Sequence, residues 1–300
     1  MPELPEVETI ACGLNKRVAG DVIESVWLGS KPQPLKSSAA EIAAVLEHSR
    51  ISRVRRVGKH IVFDLELSKS HVSKTARRGA PVQAESPGAP GSETRDQAQW
   101  IVHLGMTGQL LIASPSTETA KHTHAVLKLD SGRELRFVDP RRFGRLAVVR
   151  MDSQNGAGFT APGDEPLDSR IERFVELFRH RKTPIKSALL NQKLLSGVGN
   201  IYADESLFRA GVRPRRRASS LTRSELQKLH AGLLKVLRQA IKLGGSSVSD
   251  YVDAEGRPGF FQLKHRVYGR EGKPCYVCGT PIKRVIIAGR SSHYCPQCQK

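Results

Sequence analysis

Residues 61–67, Ile-Val-Phe-Asp-Leu-Glu-Leu, decide the fold of the first half of the chain. Apolar side chains stand at every second position, so that Ile61, Phe63, Leu65 and Leu67 alternate with Val62, Asp64 and Glu66. Successive side chains of a β-strand point to opposite faces, and a period of two therefore predicts a strand with one buried face.

The same period recurs along the first half. The other alternating groups are Trp100, Val102 and Leu104, then Leu127 and Leu129, Leu135 and Phe137, and Leu146 and Val148. Several short strands separated by turns favour a β-sandwich. Helical spacing precedes these strands over 5–18 and again over 41–48, which adds flanking helices to the sandwich.

Residues 68–99 interrupt this pattern. They are rich in Ser, Ala, Gly, Pro, Lys and Arg and almost lack large apolar side chains. Such a composition cannot bury enough surface to order itself, so it predicts a disordered surface insertion. Two readings of its positive charges stay open: non-specific contact with a polyanion, or a loop that is merely tolerated.

The second half is predicted to be helical. Residues 151–168 are rich in Gly, Pro and Asp and predict a linker. Helical patterns then cover 169–181, 184–196, 200–210 and 222–243, and a loop over 246–261 follows. Thr222 and Glu225 have the spacing of a capping box.

These patterns predict an α+β protein with two domains, and its 300 residues are enough for two cores. The expected N-terminal domain covers 2–150 and the helical domain covers 169–262. A cysteine-rich module occupies 263–300.

Two Cys-x2-Cys pairs lie in this module, formed by Cys275, Cys278, Cys295 and Cys298. Four thiolates with this spacing predict one tetrahedral, structural zinc ion. Disulfides are the alternative, which a reducing compartment disfavours. Between the pairs, residues 283–290 have the pattern of a β-hairpin with a basic tip.

The formal net charge of +19 and the pI of about 10.1 favour a polyanionic partner, most often nucleic acid. A basic protein without such a partner and a protein that binds an anionic membrane surface are the alternatives. No apolar run of membrane-spanning length is present. The N-terminus lacks the apolar segment of a signal peptide, so we expect a cytoplasmic protein.

The chain begins Met1-Pro2-Glu3-Leu4-Pro5-Glu6. An initiator methionine is readily removed before proline, which would leave the secondary amine of Pro2 free. An α-amino group has a pKa near ~7.8, against ~10.4 for lysine, so far more of it is a neutral nucleophile at pH 7. The alternative is structural, because proline and glutamate also suit the first turn of a helix.

Five motifs occur in order. They are Met1–Glu8, His103–Gly108 (His-Leu-Gly-Met-Thr-Gly), Asp139–Gly144 (Asp-Pro-Arg-Arg-Phe-Gly), Gly197–Ala203 (Gly-Val-Gly-Asn-Ile-Tyr-Ala) and the four cysteines. With them the chain closely resembles the bacterial formamidopyrimidine-DNA glycosylases over nearly its whole length except 68–99. The resemblance implies a base-excision repair enzyme. Such an enzyme removes 8-oxoguanine and formamidopyrimidines from double-stranded DNA and cleaves the strand by β,δ-elimination.

The resemblance also implies catalytic roles. Pro2 matches the nucleophile that attacks C1′ and forms a Schiff base, and Glu3 matches the acid that protonates the sugar ring oxygen. Lys59 matches the lysine that binds phosphate and serves β-elimination. Arg290 matches the finger arginine of δ-elimination, and we interpret it as an electrostatic clamp because its pKa is too high for free proton donation.

The DNA-binding positions implied by the resemblance are His122, Arg141, Lys186, Asn200, Met106 and Phe143. Asn200 closes a turn of a helix–two-turns–helix element, whose N–H groups would approach a phosphate. Met106, Arg141 and Phe143 match the side chains that fill the hole left by an extruded nucleotide. The alternatives are core packing for Met106 and Phe143, a surface histidine for His122 and a solvated arginine for Arg290.

Two other functions compete with this one. Endonuclease VIII, which prefers oxidised pyrimidines, also begins with Pro-Glu, although Leu4 and the 139–144 motif favour the purine-specific branch. A non-catalytic DNA-binding protein with a zinc ribbon would show the same charge and cysteines. We expect a monomer that works at the nucleoid; the order of lesion preference and the role of 68–99 do not follow from the sequence.

Overall fold

The computed structural model describes residues 1–31, 33–68, 96–151, 158–248 and 250–300. Their strands are β1 Ile23–Leu28, β2 Arg50–Val57, β3 His60–Glu66, β4 Gln97–His103, β5 Gln109–Ala113, β6 Thr123–Leu129, β7 Glu134–Val138, β8 Arg145–Met151, β9 Lys283–Ile287 and β10 Arg290–Tyr294. Their α-helices are α1 Leu4–Val18, α2 Ala39–Leu46, α3 Ile171–Phe178, α4 Ile185–Leu189, α5 Asn200–Ala210 and α6 Arg223–Lys242. The predicted α+β class is confirmed.

Two antiparallel four-stranded sheets form the first half, in the orders β2-β3-β4-β8 and β1-β6-β7-β5. Residues 61–66 belong to β3, an inner strand of the first sheet. Ile61, Phe63 and Leu65 are buried in a core shared with α1, α2 and the second sheet. The opposite face of β3 is covered as well, because Val62 packs with Phe159 of the segment after β8.

The alternation rule missed β1, β2 and β5. In β2 the apolar side chains Ile51, Val54 and Val57 stand three residues apart. The register of β2 against β3 shifts between Ile51 and Arg53, and such an irregularity inserts an extra residue into the period of two. The pairing with β3, which lies elsewhere in the chain, is what makes this arginine-rich stretch a strand.

The bounds predicted for the insertion and the linker are wrong at their ordered ends. Residues 69–95 lie outside the described residues, but β4 already begins at Gln97. Gln99 is buried and its amide donates to Asp64 at 2.7 Å and accepts from the N–H of Phe159 at 2.6 Å. Gln97 and Gln99 look like loop residues in the sequence, because the sequence does not show the distant groups that bind the amide of Gln99. Met151 likewise ends β8 and does not begin the linker.

The helices of the second half follow the prediction with one exception. The helix predicted over 184–196 ends at Leu189, because Asn191 starts a turn in which its side-chain oxygen accepts from the N–H of Lys193 at 3.0 Å. The capping box at α6 is confirmed, with Thr222 and Glu225 each accepting the other's backbone N–H at 3.2 and 2.8 Å. Among the described residues, no helix combines the length and the apolar composition needed to cross a membrane.

The two halves of the chain exchange residues across their boundary. Leu4, at the start of α1, is buried in the core of the helical half. In return Ala254 is buried in the core of the β-sandwich, and its carbonyl accepts from Ile112 N–H at 2.9 Å. The guanidinium of Arg56 adds a link between Glu8 of α1 and Glu165 of the linker, at 2.6 and 2.8 Å. The first residues of the chain are therefore held between both halves.

Candidate active site and DNA-facing surface

A cleft of about 760 Å³ lies where the first residues, the helical half and the β9–β10 hairpin meet. Among its lining residues are Glu3, Lys59, Met106, Asn200 and Arg290. These predicted positions are far apart in sequence, and only the tertiary structure brings them together. Pro2 is buried between Met1 and Glu3, both of which line the cleft.

The carboxyl group of Glu3 lies at the N-terminus of α5. It accepts from the N–H of Ile201 at 3.2 Å and of Tyr202 at 3.5 Å, and it is 5% exposed. Burial raises the pKa of Glu3 to about 7, against the lowering effect of the Lys59 charge. A carboxyl group with this pKa is partly protonated at neutral pH, which is the property of a general acid.

The Gly-Val-Gly-Asn turn before α5 is shaped around this carboxyl group. A Cβ on Gly199 would lie 2.2 Å from Cδ of Glu3, and one on Gly197 would lie 2.9 Å from Cβ of Leu4. The backbone of Gly199 is extended, with φ −131° and ψ −164°, so its glycine is required for space. The helix N-terminus that we predicted for a phosphate therefore holds Glu3 in the structure.

Replacing Gly199 by alanine is expected to lower any activity that depends on Glu3 by about 100-fold, because misplacing a catalytic group by about 1 Å has that cost. The rate of base excision from a damaged duplex measures the effect. Gly13→Ala in α1 is the matched control, since its added Cβ would meet nothing nearer than 3.9 Å. Equal rates for Gly199→Ala and Gly13→Ala would contradict the assignment of Glu3.

Lys59 lies in the β2–β3 turn and faces the same cleft. Burial lowers the pKa of its ammonium; the Glu3 charge opposes this change and the Arg290 charge adds to it. A lowered pKa makes the neutral amine more available near pH 7, as proton abstraction requires. The turn contains Gly58, whose φ of 58° lies in the left-handed region.

Arg290 is presented by the predicted hairpin, which is confirmed as β9 and β10. It begins β10, directly after a two-residue turn whose φ angles are 47° at Ala288 and 74° at Gly289. Positive φ at both positions is typical of tight hairpin turns. The side chain of Arg290 is exposed and lines the same cleft as Glu3 and Lys59.

Lys186 and Asn200 fasten this hairpin to the helical half. The ammonium of Lys186 is 1% exposed and lies 2.6 Å from both Asp204 Oδ1 and the carbonyl of Ser291. Asn200 donates to the same carbonyl at 3.0 Å, and Asp204 accepts from the N–H of His293 at 2.8 Å. Lys186 is thus engaged inside the protein, and a direct contact of its ammonium with DNA stays a prediction.

The four cysteines meet in space. Their sulfur atoms lie within 4.8 Å of one another, with 3.9 Å between Cys275 and Cys298 and 3.4 Å between Cys278 and Cys295. Zn–S bonds of about 2.3 Å in a tetrahedron place sulfur atoms about 3.8 Å apart, so the set fits one zinc ion. The surrounding apolar core is small, and the metal supplies the order that this module needs.

Met106, Arg141 and Phe143 project from two loops of the sandwich that touch each other. Met106 is 42% and Phe143 is 48% exposed, so the alternative of core packing is wrong. The guanidinium carbon of Arg141 lies 4.8 Å from the ring centroid of Phe143. A Cβ on Gly105 would lie 2.5 Å from the carbonyl carbon of Phe143, which shows how closely the loops pack. His122 is exposed on a neighbouring loop.

Three further residues of the site were not predicted from the sequence. His103 and Tyr268 line the cleft. Burial, with the charges of His60 and Lys59, lowers the pKa of His103 to about 4, so the imidazole is neutral. Glu6 is buried and accepts from the N–H groups of Glu3 and Ser246, both at 2.8 Å, and from the hydroxyl of Tyr202. His103 and Glu6 lie within two of the five motifs, and this was the signal that could have identified them. Tyr268 lies in none of the motifs, and nothing in the nearby sequence marks it.

Comparisons with known proteins agree along the whole chain. Family models match residues 1–146 (formamidopyrimidine-DNA glycosylase N-terminal domain), 162–252 (the H2TH domain of the same enzyme) and 272–300 (a zinc finger found in FPG and IleRS). A formamidopyrimidine-DNA glycosylase of Solibacter usitatus is 42% identical over 304 residues, with 100% of both chains covered.

Solved structures show the same similarity. A point mutant of the Lactococcus lactis FPG in complex with Fapy-dG-containing DNA matches with a TM-score of 0.81 and 31% identity, covering 100% of both chains. A MutM protein in complex with DNA containing carbocyclic 8-oxo-G matches with a TM-score of 0.81 and 30% identity, again covering 100% of both chains.

Proposed function

Because the chain belongs to the formamidopyrimidine-DNA glycosylase family, we propose that Pro2 and Glu3 carry out its chemistry on oxidised purines in DNA. It is a base-excision repair enzyme with glycosylase and abasic-site lyase activity. The observation that carries the proposal is the buried carboxyl of Glu3, with a pKa of about 7, beside Pro2 and in the same cleft as Lys59.

The first step exchanges one C–N bond for another. After removal of Met1, the lone pair of the Pro2 nitrogen forms a bond to C1′, the damaged base leaves with the electrons of the glycosidic bond, and the proton that the Pro2 nitrogen carried is transferred to the departing base. Glu3 donates its proton to the ring oxygen of the sugar, the ring opens, and an iminium ion links Pro2 to C1′. Glu3 is suited to this donation because its acid form persists to about pH 7.

Strand cleavage follows from the iminium ion, which acidifies the C2′ protons. Lys59, whose pKa is lowered by burial, takes one of them, and the 3′ C–O bond breaks with phosphate as the leaving group. A second elimination releases the phosphate on the 5′ side. Arg290 lies on the rigid hairpin and stabilises the leaving phosphate through its charge.

Extruding a nucleotide costs a few kcal/mol, and side chains that enter the stack recover part of this cost. The exposed Met106, Arg141 and Phe143 meet that need: two are apolar wedges, and the arginine can pair with the orphaned base. His122 and Asn200 are proposed to contact the DNA backbone. Zinc holds the hairpin module together and takes no part in the chemistry.

The protein is proposed to act as a monomer on double-stranded DNA, at the nucleoid of a bacterial cytoplasm. Its net charge of +19 supports a strong, salt-sensitive attraction to the phosphate backbone. The division into domains at 2–150, 169–262 and 263–300 is part of the same proposal, with the exchange of Leu4 and Ala254 between the first two.

Borohydride reduction tests this function. Trimmed protein is expected to become covalently linked to a duplex containing 8-oxoguanine opposite cytosine, and mapping should place the link on Pro2. Excision of 8-oxoguanine should exceed that of thymine glycol; the reverse order would favour the endonuclease VIII alternative. Binding without trapping or cleavage would favour a non-catalytic DNA-binding protein.

A further inference from the structure

Asp139 lies immediately after β7, at the base of the two loops that carry the exposed Met106, Arg141 and Phe143. It is 0% exposed, which is unusual for an aspartate without strong internal partners. Its side chain therefore cannot contact DNA from this position. The Asp139 side chain instead contacts backbone and side-chain groups of the two loops.

The carboxylate joins the two loops directly. Oδ1 accepts from the hydroxyl of Thr107 at 2.6 Å and from the N–H of Arg141 at 3.3 Å. Oδ2 accepts from the N–H of Gly144 at 2.7 Å. Thr107 follows Met106 in the chain, and Arg141 and Gly144 flank Phe143, so one buried group fixes the bases of all the exposed side chains.

The main chain of Asp139 extends the connection to His122. Its N–H donates to the carbonyl of His122 at 2.9 Å, and its carbonyl accepts from His124 Nε2 at 2.9 Å and from the N–H of Arg142 at 3.2 Å. Arg142 has a φ of 55°, a conformation that a residue with a side chain adopts only when its surroundings hold it there. The bonds around Asp139 provide that support.

We propose that Asp139 is a positioning residue for nucleotide extrusion, holding Met106, Arg141 and Phe143 in one rigid arrangement for entry into the DNA stack. The inference rests on the proposed function of these three side chains. A loop that already has the bound geometry loses less conformational entropy on insertion than a mobile one. Asp139 thus acts through the loops and never touches the substrate.

Asp139→Asn tests the proposal with almost no change of shape. An amide has only one acceptor oxygen, so its NH2 group must face either the Gly144 N–H or the Arg141 N–H, which shares its oxygen with the Thr107 hydroxyl. A buried donor left without an acceptor loosens at least one loop. We expect excision of 8-oxoguanine from a duplex to fall by about tenfold or more.

Cleavage of an abasic site in single-stranded DNA separates a positioning role from a general structural defect, because a general defect would slow this reaction as well. A single strand has no stack to refill, so Asp139→Asn should cleave it within about twofold of the wild-type rate. Asp130→Asn is the matched control, because Asp130 accepts a backbone N–H from Val22 at 3.0 Å at the opposite end of β7. It should leave both rates unchanged.

A second measurement is independent of the chemistry. A duplex with an uncleavable tetrahydrofuran abasic site and 2-aminopurine opposite it reports insertion through the fluorescence of the unstacked base. Wild-type protein should give the signal and Asp139→Asn should give a smaller one at saturating protein. Thr107→Val removes only the hydrogen bond from the Thr107 hydroxyl to Asp139, and it is the variant to test if Asp139→Asn fails to fold. It should reduce insertion and duplex excision and leave single-strand cleavage unchanged.

Unchanged duplex excision and insertion in the tested variant would overturn the proposal. So would an equal loss on duplex and single-stranded substrates, which would show a general structural role. Wild-type protein that inserts but cleaves neither substrate would instead contradict the proposed chemistry of Pro2, and the fluorescence comparison would still decide the role of Asp139.

Discussion

Protein that retains Met1 is expected to cleave 8-oxoguanine duplexes about a thousandfold more slowly than protein whose N-terminus is Pro2. With Met1 attached, the Pro2 nitrogen is an amide whose lone pair is delocalised into the carbonyl, and it cannot attack C1′. Borohydride trapping and strand cleavage of the two forms, separated by mass, measure the difference.

The two forms have the same catalytic side chains, because Glu3, Lys59 and Arg290 are present in both. Met1 is 48% exposed and lines the open cleft, whereas Pro2 and Glu3 are buried. Both forms should bind a duplex with an uncleavable abasic site, and that measurement separates lost chemistry from blocked access. Pro2→Gly should likewise bind damaged DNA and lose most cleavage. Full cleavage by the Met1 form would remove Pro2 from the mechanism and point to another nucleophile.

Glu3→Gln is expected to slow base excision by about 10²- to 10⁴-fold, the usual contribution of a general acid. Glutamine has nearly the same shape and can still accept an N–H bond at the start of α5, where Glu3 accepts from Ile201 and Tyr202. It cannot deliver a proton to the sugar. Single-turnover excision from an 8-oxoguanine duplex measures the loss, and Glu41→Gln, an exposed glutamate in the first turn of α2, is the control.

The pH dependence gives an independent check of the same residue. The pKa of Glu3 is raised to about 7, mainly by burial, so its acid form is present below that pH and is lost as the pH rises through it. Wild-type excision should therefore carry a limb that falls above about pH 7, and Glu3→Gln should lack it. A falling limb of the same position in the variant would assign the proton donation to another group.

Patterns of short range allowed much of the fold to be predicted. The strand at 61–67 is β3, the helix over 5–18 is α1, and the box of Thr222 with Glu225 begins α6. Each of these depends on side-chain period or on groups within a few residues, which the sequence displays directly. The errors arose where a distant partner decides the structure: Gln99 is in a strand because β4 pairs with β3 and β8, and its buried amide is satisfied by Asp64 and Phe159.

The kinds of chemistry were present in the sequence alone: an amine freed by trimming, an adjacent acid, four thiolates and an excess of positive charge. Their arrangement was decided by the tertiary structure. Burial raises the pKa of Glu3 to about 7, and the turn at Gly199, almost two hundred residues later in the chain, is one of the segments that enclose its carboxyl group. Asp139 gains its importance in the same way, from loops that converge on it. Burial and convergence depend on contacts between distant segments, and no local pattern records them.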